Sequence, residues 1–117
     1  MSPISYQASF RIAASHPALP GHFPGYPVVP GVVLLDRVAA ALENWRGARI
    51  SVMRQIKFLA PLLPEQEAEL RLENSDVSSE SIRFSIFYST TLIANGAVEI
   101  VPIDPALVKS ATPRVLA

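Results

Sequence analysis

Pro20-Gly-His-Phe-Pro-Gly-Tyr-Pro-Val-Val-Pro-Gly-Val-Val-Leu-Leu-Asp36 is the stretch whose reading decides the fold. Five of its residues before Val28 are proline or glycine, and Pro30-Gly31 then opens an apolar run. Proline fixes φ and donates no N–H, so the first half reads as a stiff loop. The second half continues through Val32-Val-Leu-Leu-Asp-Arg-Val-Ala-Ala-Ala-Leu-Glu-Asn44, where only Asp36 and Arg37 interrupt the apolar residues before Glu43. Its leucines and alanines are strong helix formers, and a helix apolar nearly all round is a buried one. A central buried helix is therefore predicted over this run. It ends between Asn44 and Gly47, with Gly47 as a left-handed cap.

Outward from that helix the chain alternates. Ile4, Tyr6, Ala8, Phe10 and Ile12 point one way, and Ser5, Gln7, Ser9 and Arg11 the other, which describes a half-buried strand. His16-Pro17 and the Pro/Gly-rich loop end it. Ile50 to Phe58 places Ile50, Val52, Ile56 and Phe58 on one face, with Arg54 breaking the row. Ala60 to Pro64 is a connection. Gln66 to Glu73 sets Ala68, Leu70 and Leu72 against Glu67, Glu69, Arg71 and Glu73, Ser78-Ser79 is a turn, and Ile82 to Ser89 repeats the alternation.

The last strand poses a choice, because Asn95-Gly96 is a strong hairpin signal. A turn at Ser89-Thr90-Thr91 instead keeps Leu92, Ala94, Gly96, Val98 and Ile100 on one continuous face, and is preferred, with Gly96 marking a bulge or close approach. Pro102 and Pro105 stop that strand, leaving 102–117 as a loosely ordered tail of one domain over 1–117. The order is strand, loop, buried helix, four antiparallel strands. Such a sheet has one helix to bury its inner face against, so it is expected to curl around it. Its exposed edges favour edge-to-edge pairing of two copies.

Composition narrows the function. The 117 residues suit a single core, half of them are hydrophobic, and the spare apolar surface this leaves favours self-association. Ten bases balance ten acids, against a strongly basic nucleic-acid face. The absence of cysteine excludes disulfides and thiol chemistry. Met1 to Tyr6 has no signal-peptide pattern and no run is long enough to span a bilayer, so the cytoplasm is expected. Charge is uneven. Arg46, Arg49, Arg54 and Lys57 form a run of four bases without an acid, and six acids face only Arg71 between Glu65 and Glu80. Either run alone reads as a solvated patch, though the basic one suits an acidic partner.

Three groups in the opening stretch carry chemistry. His22 has a side chain poised to exchange protons near neutrality; taken alone, a loop histidine bonded to a carbonyl is the stronger reading, and His16 is given no role. Asp36 lies among apolar neighbours, where an unpaired carboxylate is costly. Arg37 points elsewhere on the helix. Asp36 therefore pairs with a distant group, reaches a cavity or faces a partner subunit, and a structural ion pair weighs equally with function. Pro30-Gly31 starts the helix, whose first N–H groups have no internal acceptor and carry the positive end of the dipole. The N–H of Gly31 or Val32 can hold a carbonyl oxygen that becomes negative. Histidine, carboxylate and such an N–H together suit proton abstraction beside a carbonyl followed by loss of a leaving group.

The pattern His22-Phe23-Pro24-Gly25-x-Pro27-x-x-Pro30-Gly31-Val32-x-x-x-Asp36 resembles the active-site segment of the beta-hydroxyacyl-acyl-carrier-protein dehydratases. More weakly, Lys57-Phe58-Leu-Ala-Pro61-Leu-Leu-Pro64 is similar to that family's "K-F-x-x-P-x-x-P" strand and turn. The resemblance covers roughly residues 4 to 101, with only the His22–Asp36 motif highly specific. It implies the α+β hot-dog fold, about five strands curled around one helix, in a double hot-dog dimer or a larger assembly of dimers. It also implies dehydration of 3-hydroxyacyl thioesters to trans-2-enoyl thioesters, in a fatty acid, polyketide-like or aryl-polyene pathway. His22 matches the catalytic histidine, Asp36 the catalytic acid and Gly31 the thioester-polarising N–H; Phe23, Pro30 and Val32 join the substrate site. The family forms its site across a dimer, histidine from one subunit and acid from the other.

No metal or cofactor is implied, since the substrate arrives on the phosphopantetheine of an acyl carrier protein. That carrier is the expected partner, docking near Arg46–Lys57. Neither nucleic acid nor membrane is expected as a partner. Val32, Val33 and Leu35 are candidates to line an acyl tunnel, with core packing the stronger reading for each. Aspartate at the acid position is what the dehydratase/isomerase branch carries. Ala40 stands where the family has glutamine, and the short chain points to a pathway-specific member. A hot-dog thioesterase and a non-catalytic acyl-binding subunit are the alternatives.

Overall fold

The computed structural model describes residues 5–17, 19, 28–75 and 80–103. Six elements follow in chain order: β1 (Ser5–Arg11), α1 (Gly31–Arg46), β2 (Ala48–Phe58), β3 (Glu67–Asn74), β4 (Ser81–Tyr88) and β5 (Thr91–Pro102). The strands form one antiparallel sheet in the order β1-β3-β4-β5-β2, so β1 and β2 are the two edges. The sheet curls around α1, as its alternation requires. Ala68, Leu70 and Leu72 of β3, Ile82, Phe84 and Ile86 of β4, and Ala94, Val98 and Ile100 of β5 are all buried. They meet Val33, Leu34, Val38, Ala41 and Leu42 of the helix in one core.

Local chemistry sets the boundaries. Gly47 takes φ 59° and ψ 39°, and its N–H donates to the Glu43 carbonyl at 2.9 Å, ending α1 with the expected left-handed cap. Tyr88 pairs with Thr91 across a two-residue turn in which Ser89 has φ 56°. β5 therefore runs through Asn95-Gly96 rather than turning there. Gly96 is the close approach: an added Cβ would lie 2.6 Å from Ile56 Cδ1 and 2.9 Å from Phe84 Cε2.

Three expectations are corrected. The helix is not buried nearly all round: Val32, Asp36, Arg37, Ala40, Glu43 and Asn44 are exposed, because one curled sheet covers only one side of it. In β2 Ile50 and Ile56 pack against the core and Phe58 faces α1 as expected, but Val52 does not share their face. Ile50 pairs with Ile100 and Val52 with Glu99, so Ser51 is an extra residue and Met53, opposite buried Val98, takes the inward position. A second bulge lies between Arg54 and Lys57, where Gln55 has φ 54°. In β5, Leu92 pairs with Phe87 while Ala94 pairs with Ile86, so Ile93 is the bulged residue and is buried in place of Leu92. Residues 76–79, with the Ser78-Ser79 turn, and the tail from 104 lie outside the described residues.

Candidate active site

The helix start is built by Pro30, which adopts an extended conformation (φ −63°, ψ 147°) as N-cap and offers no side-chain acceptor. Its carbonyl receives the N–H groups of Val33 and Leu34 at 3.0 and 3.4 Å. Among the described residues, the N–H groups of Gly31 and Val32 have no acceptor. The preceding segment is tied down by the Val29 N–H, which donates to Leu62 O at 2.8 Å. The 59–62 connection is fixed in turn, since the Leu59 and Ala60 N–H groups both reach the bulged Ile93 carbonyl, at 2.8 and 3.2 Å.

Between these segments lies an open cavity of about 400 Å³, lined by Val28, Pro30, Gly31, Leu34, Phe58 and Leu62 among others. The Phe58 ring closes directly over Gly31: a Cβ added there would meet three ring carbons at 2.6, 2.8 and 2.9 Å. Only glycine fits beneath that ring. The cavity is mostly apolar, and a helix N-terminus with unused N–H groups forms part of its wall. That combination can hold an apolar acyl group and place partial positive charge beside a carbonyl oxygen.

Pro30 and Gly31 are thus brought together in the cavity. Val32 and Asp36 are not; they lie one helical turn apart on the exposed side of α1. Among the described residues Asp36 makes no hydrogen bond or ion pair. Arg37 packs instead over the Phe10 ring at 5.9 Å. His22 and Phe23 lie outside the described residues. Of the tunnel candidates, Val33 is in the core and Leu35 packs against it, whereas Leu34 lines the cavity. Leu34 and Phe58 are among the lining residues that sequence reasoning left unassigned to the site, with Val28, Val29 and the 59–62 connection. Gly31 followed by an aromatic on the adjoining strand was the available signal.

The basic run does not lie entirely on one face. Arg46 caps the far end of α1, stacked on Trp45 at 4.1 Å and bonded to Asn74. Arg54 pairs with Glu99 at 2.7 Å. By register Arg49, Arg54 and Lys57 stand opposite Val101, Ala97 and Asn95, all on the face of the sheet away from α1, so of the four bases only Arg46, at the helix end, lies elsewhere.

Comparison with known proteins agrees with this architecture. The sequence model described as "ApeI-like: ApeI dehydratase" matches residues 2–97. A 3-hydroxyacyl-[acyl-carrier-protein] dehydratase, FabZ, from Chlamydia trachomatis is 29% identical over 110 residues, covering 83% of this chain and 72% of that protein. Among solved structures, the dehydratase heterocomplex ApeI:P from Xenorhabdus doucetiae superposes with a TM-score of 0.72 at 20% identity, over 82% of this chain and 86% of that one. The fluoroacetyl-CoA thioesterase FlK gives 0.66 at 14% identity, over 97% and 96%. These likenesses establish the hot-dog fold. No helix among the described residues is long and apolar enough to cross a membrane.

Proposed function

This chain belongs to the ApeI-like dehydratase family, and on that premise we propose that it dehydrates 3-hydroxyacyl thioesters held on an acyl carrier protein, giving trans-2-enoyl thioesters. The observation that carries the reading is the Gly31 N–H, without an acceptor among the described residues, at a helix N-terminus in the wall of an apolar cavity. A thioester oxygen seated there gains charge as the C2 proton leaves, and the N–H and helix dipole favour that charged state over the neutral one. His22 takes the C2 proton. Asp36 assists departure of the 3-hydroxyl, and the electrons released from C2–H form the C2–C3 double bond as water leaves. The thioester is the electron sink, so the reaction needs no metal or nicotinamide.

Asp36 is exposed on α1 and is not part of its own cavity's lining, which suits a site completed between two copies. Val32 (64% exposed), Met53 (49%), Phe58 (52%) and Leu59 (53%) leave apolar surface along the helix start and the β2 edge. An edge strand with such surface is a template for pairing. Two copies joined along β2 would cover these residues, and in that arrangement we assign one copy's Asp36 to the site that the other copy's His22 serves.

The test follows the absorbance of the conjugated enoyl thioester formed from a 3-hydroxyacyl carrier substrate. His22→Ala and Asp36→Asn are each expected to lose activity. Mixing the two variants should restore part of it, because half of the sites in a mixed dimer are intact. Full activity in either single variant would overturn the assigned roles.

A further inference from the structure

We propose that the outer face of the sheet, opposite α1, carries a binding site for a phosphate monoester, held chiefly by Lys57 and Arg83. A depression of about 280 Å³ lies there, lined by Gln55, Lys57, Glu73, Arg83, Ser85 and Asn95 among others. The strand register brings these side chains together. Lys57 stands opposite Asn95 and Asn95 opposite Ser85, while Arg83 stands opposite Glu73 one row away.

Two observations set this depression apart from an ordinary solvated face. The first is the pairing of the strand cations. Arg11, Arg54 and Arg71 each hold a carboxylate, at 3.3, 2.7 and 2.9 Å. Among the described residues Arg49, Lys57 and Arg83 hold none, and of these three Lys57 and Arg83 line the depression, although Glu73 is the direct cross-strand neighbour of Arg83. The second is the backbone. Gln55 takes φ 54° within a strand, at the bulge that places two residues of β2 opposite Gly96. The other non-glycine residues at positive φ have local reasons. Ser89 turns a hairpin, and Glu65 is anchored by its N–H on Ile12 O at 2.8 Å and its carboxylate on the Ala14 N–H at 2.9 Å. Gln55 has no such anchor among the described residues. What this bulge does is re-aim the strand, so that Lys57 comes to stand opposite Asn95 on the same outer face as Arg83.

The chemistry selects the ligand. Lys57 and Arg83 supply charge-assisted donors, and the amides of Gln55 and Asn95 and the Ser85 hydroxyl add neutral ones. Ionised Glu73 only accepts. It therefore disfavours a bare anion but takes the remaining O–H of a phosphate monoester near its second pKa, about 6. A phosphodiester, the linkage of a carrier's prosthetic arm, has one charge and no O–H, and fits less well. The site adjoins the cavity through β2, since Phe58 directly follows Lys57.

The experiment titrates the full isotope-labelled chain with inorganic phosphate at about pH 6 and constant ionic strength, following the side-chain amides of Gln55 and Asn95 by NMR. Saturable shifts are expected with phosphate, and binding of diethyl phosphate weaker by about tenfold or more, the equivalent of lost charge-assisted hydrogen bonds. Lys57→Gln with Arg83→Gln abolishes the response, and Lys57→Gln alone, which leaves the fold less disturbed, weakens it. Non-saturating shifts matched by chloride would overturn the proposal. So would equal binding of diethyl phosphate, or an undiminished response in the single Lys57 variant.

Discussion

Gly31→Ala offers a perturbation whose sign depends on one neighbour. The added methyl carbon would sit 2.6 Å from Phe58 Cζ and within 2.9 Å of two further ring carbons. Carbon atoms do not pack that closely, so the ring must retreat by several tenths of an ångström. Overpacking of this kind costs roughly 1–3 kcal/mol, and because the contact is with the outer end of a half-exposed ring that can swing aside, the low end applies. Without the ring, the same substitution replaces glycine by a better helix former, a gain of up to about 1 kcal/mol in a helix interior and less in the first turn. Gly31→Ala should therefore destabilise the parent chain, and be neutral to slightly stabilising in a Phe58→Ala background. Urea unfolding of the four proteins in the cycle measures the coupling. An equal cost in both backgrounds would refute the contact and with it the account of why glycine stands there. Activity reads a second quantity. The double variant should remain slow despite its restored stability, because the methyl group occupies space beside the oxygen-binding N–H.

The remaining predictions concern packing and assembly. Gly96→Ala should cost more than Gly31→Ala, at the upper part of about 1–3 kcal/mol, because its Cβ meets Ile56 Cα at 3.1 Å as well as two core side chains, and backbone yields little; urea midpoints of the two variants compare them. Gly47→Ala should cost about 1–2 kcal/mol purely through its left-handed backbone, since nothing lies within 4 Å of the new methyl, and Gly47→Asn should recover part of that loss in thermal unfolding. Met53→Asp places a charge on the exposed apolar part of β2. If the parent chain is the proposed dimer, light scattering should then find monomer, and unchanged mass would move the interface elsewhere.

Much of the fold was legible because single residues decided it. Ala68, Leu70 and Leu72 alternate without a fault and are all buried; Gly47 is the cap; Gly96 is a close approach and not a turn. Bulges were not legible. Ser51, Gln55 and Ile93 each add a residue to one strand only, which leaves the hydrophobic count intact while moving Met53 and Ile93 inward in place of Val52 and Leu92. A bulge is a relation between two strands, and no single strand's pattern contains it. The helix misled for a related reason. One curled sheet covers a single side of it, and the part facing away from the sheet, with Val32 and Asp36, is exposed. At the candidate site Pro30-Gly31 was readable from its position before the apolar run. The ring of Phe58 over Gly31 joins residues 27 positions apart and needed the sheet to be seen.

The most direct test is the intact mass of an acyl carrier protein bearing a 3-hydroxyacyl thioester after incubation with this chain. Loss of one water from the carrier-bound acyl group, absent with His22→Ala, is the predicted result. Carrier stripped of its acyl group, with free hydroxy acid in solution, would make the protein a thioesterase and contradict the account.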